Sequence, residues 1–162
     1  MSKTLLAAVI LCAGWTASAD AKAFKIGEDV AWISIPDTWE PETFDNGVEG
    51  TSPDRETYVA AEIVDGDTLA DASKDEEKFF KKMKIKIKED TFKQKKIQMS
   101  GLDADDLQWE ATDADGPTHV SVTLVKIAEK KLLMMTYWGS EAGEKTNGAE
   151  LNAISESIKP IR

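Results

Sequence analysis

Residues 132–138 form a segment that is apolar on both sides when it is extended. Successive side chains of a β-strand point to opposite faces of the sheet. Nearly every position of this segment is apolar or aromatic, namely Leu132, Leu133, Met134, Met135, Tyr137 and Trp138. A strand of this kind belongs in the interior of a sheet that is covered above and below. The segment therefore predicts a layered fold with residues 132–138 as its central strand.

Further strand-like segments lie on both sides of a helical one. They are rich in β-branched and aromatic residues and are bounded by Gly, Pro, Asp or Asn. The predicted strands are residues 30–35, 48–52, 56–64, 91–100, 104–112 and 118–127. The connections within the group that follows the helix are short, which favours hairpins and hence an antiparallel sheet.

Residues 68–88 carry apolar side chains at every third or fourth position, the spacing of one helix face. Thr68, or Asp67 before it, is the expected N-cap. The last six residues of the segment also alternate with period two, so a strand that begins there is the alternative. We favour helical continuation because Met83 and Ile87 extend the apolar stripe.

A second helix is predicted near the C-terminus. Asn147 with Glu150 three residues later resembles a capping box, and Pro160 ends the helix. The apolar stripe of this helix comprises Leu151, Ile154 and Ile158. Residues 139–146 are expected to form a loop. The complete order predicts an α+β fold, with a central antiparallel sheet of about six or seven strands flanked by helices on both faces.

The first nineteen residues have the pattern of a secretory signal peptide. Lys3 precedes an apolar run at residues 5–11, and the small residues 17–19 end the segment before Asp20. The apolar run is shorter than the ~20 residues of a membrane span. Cys12 lies in this leader, and a lipoprotein anchor on it is less favoured because a bulky leucine precedes it. We expect export to the periplasm or the exterior, with residues 20–162 as a single domain.

The order of elements resembles that of the PsbP-like family, named for an extrinsic subunit of photosystem II. The matching features are Ile35-Pro36-Asp37-Thr38-Trp39 at the end of an early strand, the long helix after the third strand, the hairpin broken at Gly101 and turned at Asp115-Gly116, and the closing Ser157-Ile158-Lys159-Pro160. The resemblance spans nearly all of residues 20–162. It implies an α/β/α sandwich and a function in binding rather than in catalysis.

The charge of the chain is strongly acidic but unevenly distributed. Without the leader, 19 basic and 30 acidic residues remain, a net charge of −11. Nucleic acid is therefore not expected as a partner, because phosphate binding needs a concentrated basic surface. Residues 74–96, however, contain ten lysines. They are either the solvated outer face of a helix or a docking strip for an acidic protein or an anionic membrane surface. The strip's partner-binding candidates are Lys78, Lys81, Lys82 and Lys88.

Four tryptophans follow the leader. Trp32 and Trp109 lie within predicted strands, where aromatic side chains usually pack in the core or across strands. Trp39 and Trp138 each adjoin loop residues, so a half-exposed ring at either position could anchor a partner. Both are included as candidate partner-binding residues.

Residues of the types that catalysis requires are scarce. The chain after the leader has no cysteine, one histidine (His119) and no G-x-S-x-G motif. We expect His119 on the polar face of its strand beside Ser121 and Thr123. No catalytic residue is assigned, and neither an enzyme nor a cofactor is expected.

Aspartates cluster on the predicted hairpin of residues 104–127. The candidates for binding a hard cation such as calcium are Asp103, Asp105, Asp113 and Asp115. An ordinary hairpin turn is the favoured explanation of the Asp-Gly pair, so no metal site is assigned. The sequence thus favours an exported, non-enzymatic binding or accessory module with a protein partner in the cell envelope. A small-ligand or calcium-binding protein is the alternative, and a hydrolase is the least favoured.

Overall fold

The computed structural model describes residues 20–66 and 76–161, which form two antiparallel sheets and two helices. The strands are β1 (Ala21–Ile26), β2 (Ala31–Pro36), β3 (Glu42–Phe44), β4 (Gly47–Thr51), β5 (Thr57–Asp65), β6 (Lys86–Ile87), β7 (Lys93–Met99), β8 (Leu102–Thr112), β9 (Pro117–Ala128), β10 (Lys131–Gly139) and β11 (Lys159–Pro160). The helices are α1 (Glu76–Lys82) and α2 (Glu141–Glu156), and short 3-10 turns lie at Asp37–Trp39 and Glu89–Thr91. The signal-peptide prediction and the predicted N-cap at Thr68 or Asp67 fall outside the described residues.

Strand β10 lies in the interior of the larger sheet, which has eight strands in the order β3-β4-β5-β10-β9-β8, with β6 and β7 both along the outer edge of β8. On one face of β10, Leu133 and Met135 pack in a core that includes Ile154 of α2, and we call this side the α2 face. On the other face, Leu132 and Met134 pack in a second core with Phe80 of α1, and we call this side the α1 face. The prediction of a central strand covered on both faces is confirmed.

The architecture around β10 differs from the prediction in two ways. The central sheet has eight strands instead of six or seven, because the short strands β3 and β6 carry too few residues to give a pattern. The early strand β2 pairs with β1 and β11 in a separate three-stranded sheet. Its Ile33 and Ile35 are fully buried on the α2 face, so this small sheet helps to cover the large one.

Helix α1 ends earlier than predicted. Lys84 adopts a left-handed φ of 61°. The N–H of Lys84 donates to the carbonyl of Lys81 at 3.1 Å, and the N–H of Ile85 donates to the carbonyl of Phe80 at 2.9 Å. These two bonds define a Schellman motif, whose usual apolar contact is made by Ile85 and Phe80, both buried in the same core. The predicted helix through Lys88 is therefore wrong beyond residue 82, and residues 86–87 form β6, in line with the period-two alternative.

Helix α2 begins earlier than predicted. Ser140 is its N-cap, and the Ser140 Oγ accepts the N–H of Gly143 at 3.0 Å. The predicted loop at 139–146 is thus helical from Glu141 onward. Asn147 is not a cap but a buried residue inside the helix, and its amide donates to the Asp54 carboxylate at 3.1 Å. These bonds fix the start of α2 against the strand pair β4 and β5.

Candidate functional site

Strand β7 forms an edge of the larger sheet. It pairs with β8 on one side, and no other strand among the described residues pairs with it on the other. Its residues 93–96 are exposed, whereas Ile97 and Met99 turn toward the core of the α2 face. A strand that begins with lysines and buries only its far end is typical of sheet edges, where charge discourages unwanted strand pairing.

The same edge continues from β7 back to β6. Between them, the chain forms the 3-10 turn at Glu89–Thr91, whose residues are not part of the strand pairing with β8. The Thr91 side chain bonds to the backbone of β8 instead. The Thr91 Oγ1 accepts the N–H of Glu110 at 2.8 Å and donates to the carbonyl of Lys88 at 2.6 Å. Both strands therefore stay on the outer side of β8. We call Lys86, Lys88, Lys93, Lys95 and Lys96 the lysine edge.

The four lysines predicted to line one strip occupy two different elements. Lys78, Lys81 and Lys82 are exposed on α1. Lys88 is also exposed but follows β6, because the helix ends before it. The prediction that Lys88 shares a helix face with the others is therefore wrong.

Two members of the lysine edge are paired with acidic side chains of β8. The Lys96 Nζ lies 2.6 Å from the carboxylate of Asp105, its register partner on β8, and the Lys88 Nζ lies 3.4 Å from that of Glu110. The Lys96 ammonium, helped by the Gln94 amide, holds the pKa of Asp105 below its ordinary value. Within the described part of the chain, Lys86, Lys93 and Lys95 make no ion pair. The edge thus retains uncompensated positive charge.

Two large apolar side chains are exposed in the same part of the chain. Phe92, immediately before β7, is 47 % exposed, and its ring lies 5.2 Å from that of Trp109, centroid to centroid. Met83, in the turn after α1, is 39 % exposed. Phe92 therefore gives the start of β7 an exposed apolar side chain next to Lys93 that a bound partner could cover.

Two of the four tryptophans, Trp39 and Trp32, do not occupy the expected environments. Trp39 is 0 % exposed, and its indole N–H donates to the Glu150 carboxylate, so the expectation of a half-exposed ring is wrong there. Trp138 is partly buried and stacks on Tyr58 at 3.7 Å between ring centroids, as part of the α1-face core. Trp32, expected to be packed, is instead 37 % exposed, with the Lys25 ammonium 5.3 Å from its ring. Trp109 is partly buried against the α1-face core.

The four candidate aspartates are not brought together. Asp103 and Asp105 accept hydrogen bonds from Gln98 and Gln94 of β7. Asp113 instead accepts the N–H groups of residues 115 and 116 at 2.8 and 3.0 Å, within its own turn, and Asp115 is exposed there. Asp105 and Asp113 are eight positions apart, about 26 Å along a strand. In the described part of the chain, no group of three or more His, Cys, Asp or Glu side chains is arranged to hold a metal ion.

A polar groove that the sequence did not indicate lies on the α2 face. It encloses about 390 Å³ and is lined in part by Lys93, His119, Tyr137 and Glu144. One Glu144 oxygen lies 3.1 Å from the His119 Nδ1 and accepts the Tyr137 hydroxyl at 3.0 Å. Burial, followed by the charge of Glu144, raises the pKa of Tyr137. This contact joins α2 to β9 and β10, and no local spacing in the sequence could have predicted it.

Beside this groove, Asp106 is a buried carboxylate within the sheet. It accepts the hydroxyls of Ser121 and Thr123 at 2.8 and 3.1 Å and the amide of Gln108 at 2.6 Å. These donors compensate the loss of hydration that burial imposes on the carboxylate. As expected, His119 is exposed on its strand while Ser121 and Thr123 lie on the same face. The groove is a polar surface that offers both hydrogen-bond donors and acceptors.

Comparisons with known proteins identify the fold. No family model matches the chain, and no curated protein sequence matches it. Among solved structures, cyanobacterial PsbP (CyanoP) from Synechocystis sp. PCC 6803 gives a TM-score of 0.57 at 13 % identity, over 91 % of this chain and 96 % of that one. The Ran-binding protein Mog1p of Saccharomyces cerevisiae gives 0.52 at 9 % identity, over 88 % and 96 %. LpqN, involved in cell envelope biogenesis of Mycobacterium tuberculosis, gives 0.52 at 12 % identity, over 88 % and 91 %.

At these identities the likeness shows the fold, which is PsbP/Mog1-like. The resemblance to PsbP noted in the sequence is thereby confirmed. None of the helices in the described part of the chain has the length and apolar composition needed to cross a membrane.

Proposed function

We propose that this protein is an exported, non-enzymatic accessory module that binds an acidic protein partner of the cell envelope through its lysine edge. The observation that carries the proposal is the position of Lys86, Lys93 and Lys95, which, among the described residues, make no ion pair and lie on an unpaired sheet edge of an otherwise acidic chain. The signal-peptide pattern of residues 1–19 supports export. The fold is compatible, since it also occurs in a Ran-binding protein and in an envelope-biogenesis protein.

Charge complementarity gives such a surface both attraction and selectivity. A net charge of −11 after the leader repels acidic molecules at most orientations, so only an approach that presents the lysine edge is favoured. Charges of this kind mainly accelerate association and exclude wrong partners. Because the lysines are exposed, salt screens the attraction over a Debye length of about 8 Å at physiological ionic strength. Binding should therefore weaken steeply as salt is added.

The test compares two triple variants of the chain from residue 20 to 162. The edge variant carries Lys86→Glu, Lys93→Glu and Lys95→Glu. The matched control variant carries Lys130→Glu, Lys145→Glu and Lys159→Glu, three exposed lysines elsewhere in the fold. Both variants change the net charge equally, so a difference between them reports position and not total charge. Circular dichroism confirms that each variant is folded before use.

Each immobilised protein is incubated with envelope extract, and proteins eluted by salt are quantified by mass spectrometry. We expect one or a few acidic proteins to bind the wild type and the control variant and to bind the edge variant at least tenfold less. Equal retention by the edge and control variants, or no protein that elutes with salt, would refute the proposal.

A further inference from the structure

We infer that the acidic partner binds as an extended strand that adds to the outer side of β7. This inference rests on the proposed function, since it specifies how the lysine edge is used. The outer side of β7 is unpaired among the described strands and presents backbone N–H and C=O groups along residues 93–99. A strand that pairs there would make main-chain hydrogen bonds of the kind that strand addition uses elsewhere.

The inner side of β7 already shows the chemistry of such a partner. Its neighbour β8 is an acidic strand, with Asp103, Asp105, Asp106 and Glu110 among its eleven residues. In the register between the two strands, Lys96 lies opposite Asp105 and bonds to its carboxylate, and Gln98 lies opposite Asp103 and bonds to it in the same way. β7 is thus the basic member of an acid–base strand pair, and Lys93 and Lys95, which make no ion pair among the described residues, remain for a second acidic strand.

The lysines of β7 lie on both faces of the sheet. Lys93 and Lys95 share a face with Ile97 and Met99, whereas Lys96 lies on the opposite face with Asp105. Lys96 is already paired with Asp105, so the lysines of β7 that lack an ion pair among the described residues, Lys93 and Lys95, both lie on the α2 face. On an added strand, acidic residues at alternate positions would lie on that face opposite these two lysines, at about 5 Å between Cβ atoms.

The same charges account for the selectivity of the edge. Two lysine edges brought together would place like charges in direct opposition, which disfavours pairing between copies of this chain. An acidic strand would instead place opposite charges across the new strand pair, which favours pairing. One set of residues therefore both prevents self-association and selects the partner, the combination by which specific interfaces discriminate.

The test uses two synthetic seven-residue peptides in which Glu alternates with Thr or Val, a length of about 23 Å when extended. The peptides have identical sequences and charges, but one is methylated at its central backbone nitrogens and cannot donate hydrogen bonds to a strand. Affinity is measured by fluorescence anisotropy, and hydrogen exchange of the β7 amides is followed by NMR. We expect the methylated peptide to bind at least tenfold more weakly, and the unmethylated peptide to protect alternate amides within residues 93–99.

Three outcomes would overturn the inference. Equal binding of the two peptides without new amide protection would mean that the charges dock a partner without strand addition, which leaves the proposed function intact. Binding of neither peptide would exclude an acidic strand as the occupant, and the proposed function would then be decided by the envelope-extract experiment. Binding to phosphatidylglycerol vesicles but to neither peptide would assign the lysine edge to a membrane surface.

Discussion

The substitution Lys84→Gly is expected to stabilise the protein, although glycine usually weakens a helix. Lys84 has a φ of 61° at the end of α1, in the left-handed region. This conformation costs a residue with a Cβ roughly 1–2 kcal/mol and costs glycine almost nothing. Glycine also has more freedom in the unfolded chain, which offsets about 0.5–1 kcal/mol of that gain. The net increase in the free energy of unfolding should be about 0.5–1 kcal/mol.

Lys82→Gly is the matched control for this substitution. Lys82 is the last residue of α1 and lies two positions before Lys84, so both variants lose one exposed lysine from the same segment. Glycine at a helical position lowers stability by about 0.5–1 kcal/mol. The two variants should therefore differ by about 1–2 kcal/mol, with opposite signs relative to the wild type.

Urea unfolding monitored by circular dichroism measures both variants. Equal m-values would show that the denatured states are comparable and that the midpoints report stability. If Lys84→Gly and Lys82→Gly destabilise the protein by similar amounts, the helix continues through residue 84 and the Schellman motif does not exist. Lys88 would then belong to the helix, and β6, the first strand of the lysine edge, would not form.

Three further comparisons, two between paired variants and one between pH values, are expected to follow from the packing and the charges. Trp39→Ala should destabilise by about 3–5 kcal/mol because the ring is fully buried, whereas Trp32→Ala, at an exposed ring, should stay within about 1 kcal/mol in thermal unfolding. Gly143→Ala should destabilise by about 1–3 kcal/mol, because the new Cβ would lie 2.6 Å from the Glu56 Cβ. Gly148→Ala, with no atom within 4 Å, should instead stabilise α2 by about 0.5–1 kcal/mol, and urea unfolding distinguishes the two. The Ser52 hydroxyl, the Glu56 N–H and the Asn147 amide donate hydrogen bonds to the Asp54 carboxylate and hold its pKa below the ordinary value. The stability that this carboxylate contributes is therefore fully present above the ordinary pKa of aspartate, and it is lost as the pH falls through the lowered pKa of the folded protein. The stability difference between wild type and Asp54→Asn should accordingly be larger at about pH 6 than at about pH 2.

The elements that the sequence predicts best are those whose burial follows from their own side chains. β10 is central because it has apolar residues on both faces, and no long-range information is needed to infer that. The turn at Asp113 is similarly local, because its side chain bonds to the backbone two and three residues later. By contrast, β1 was not predicted. Two of its six residues are lysines, and it is stabilised by pairing with β2.

Helix ends were mispredicted where their signals depend on distant residues. Gly139 and Gly143 lower the helix propensity of residues 139–146, which favours a loop there. Gly143 is required because α2 approaches β5 closely at Glu56 and Thr57, a contact that only the folded chain defines. At the end of α1, the left-handed position is held by a lysine, so the usual glycine signal is absent.

The charge of the lysine segment could be predicted, but the surface that it forms could not. Helical spacing places residues four apart, such as Lys78 and Lys82, on one face, whereas strand spacing sends neighbours such as Lys95 and Lys96 to opposite faces. The end of α1 at Lys82 therefore moves the later lysines to the open edge of the sheet, with Lys93 and Lys95 on one face and Lys96, paired with Asp105, on the other. The outward backbone groups of β7 lie in the plane of the sheet beside these lysines. A strand that pairs with them can also place acidic side chains opposite Lys93 and Lys95, so electrostatic attraction and strand pairing favour a single geometry.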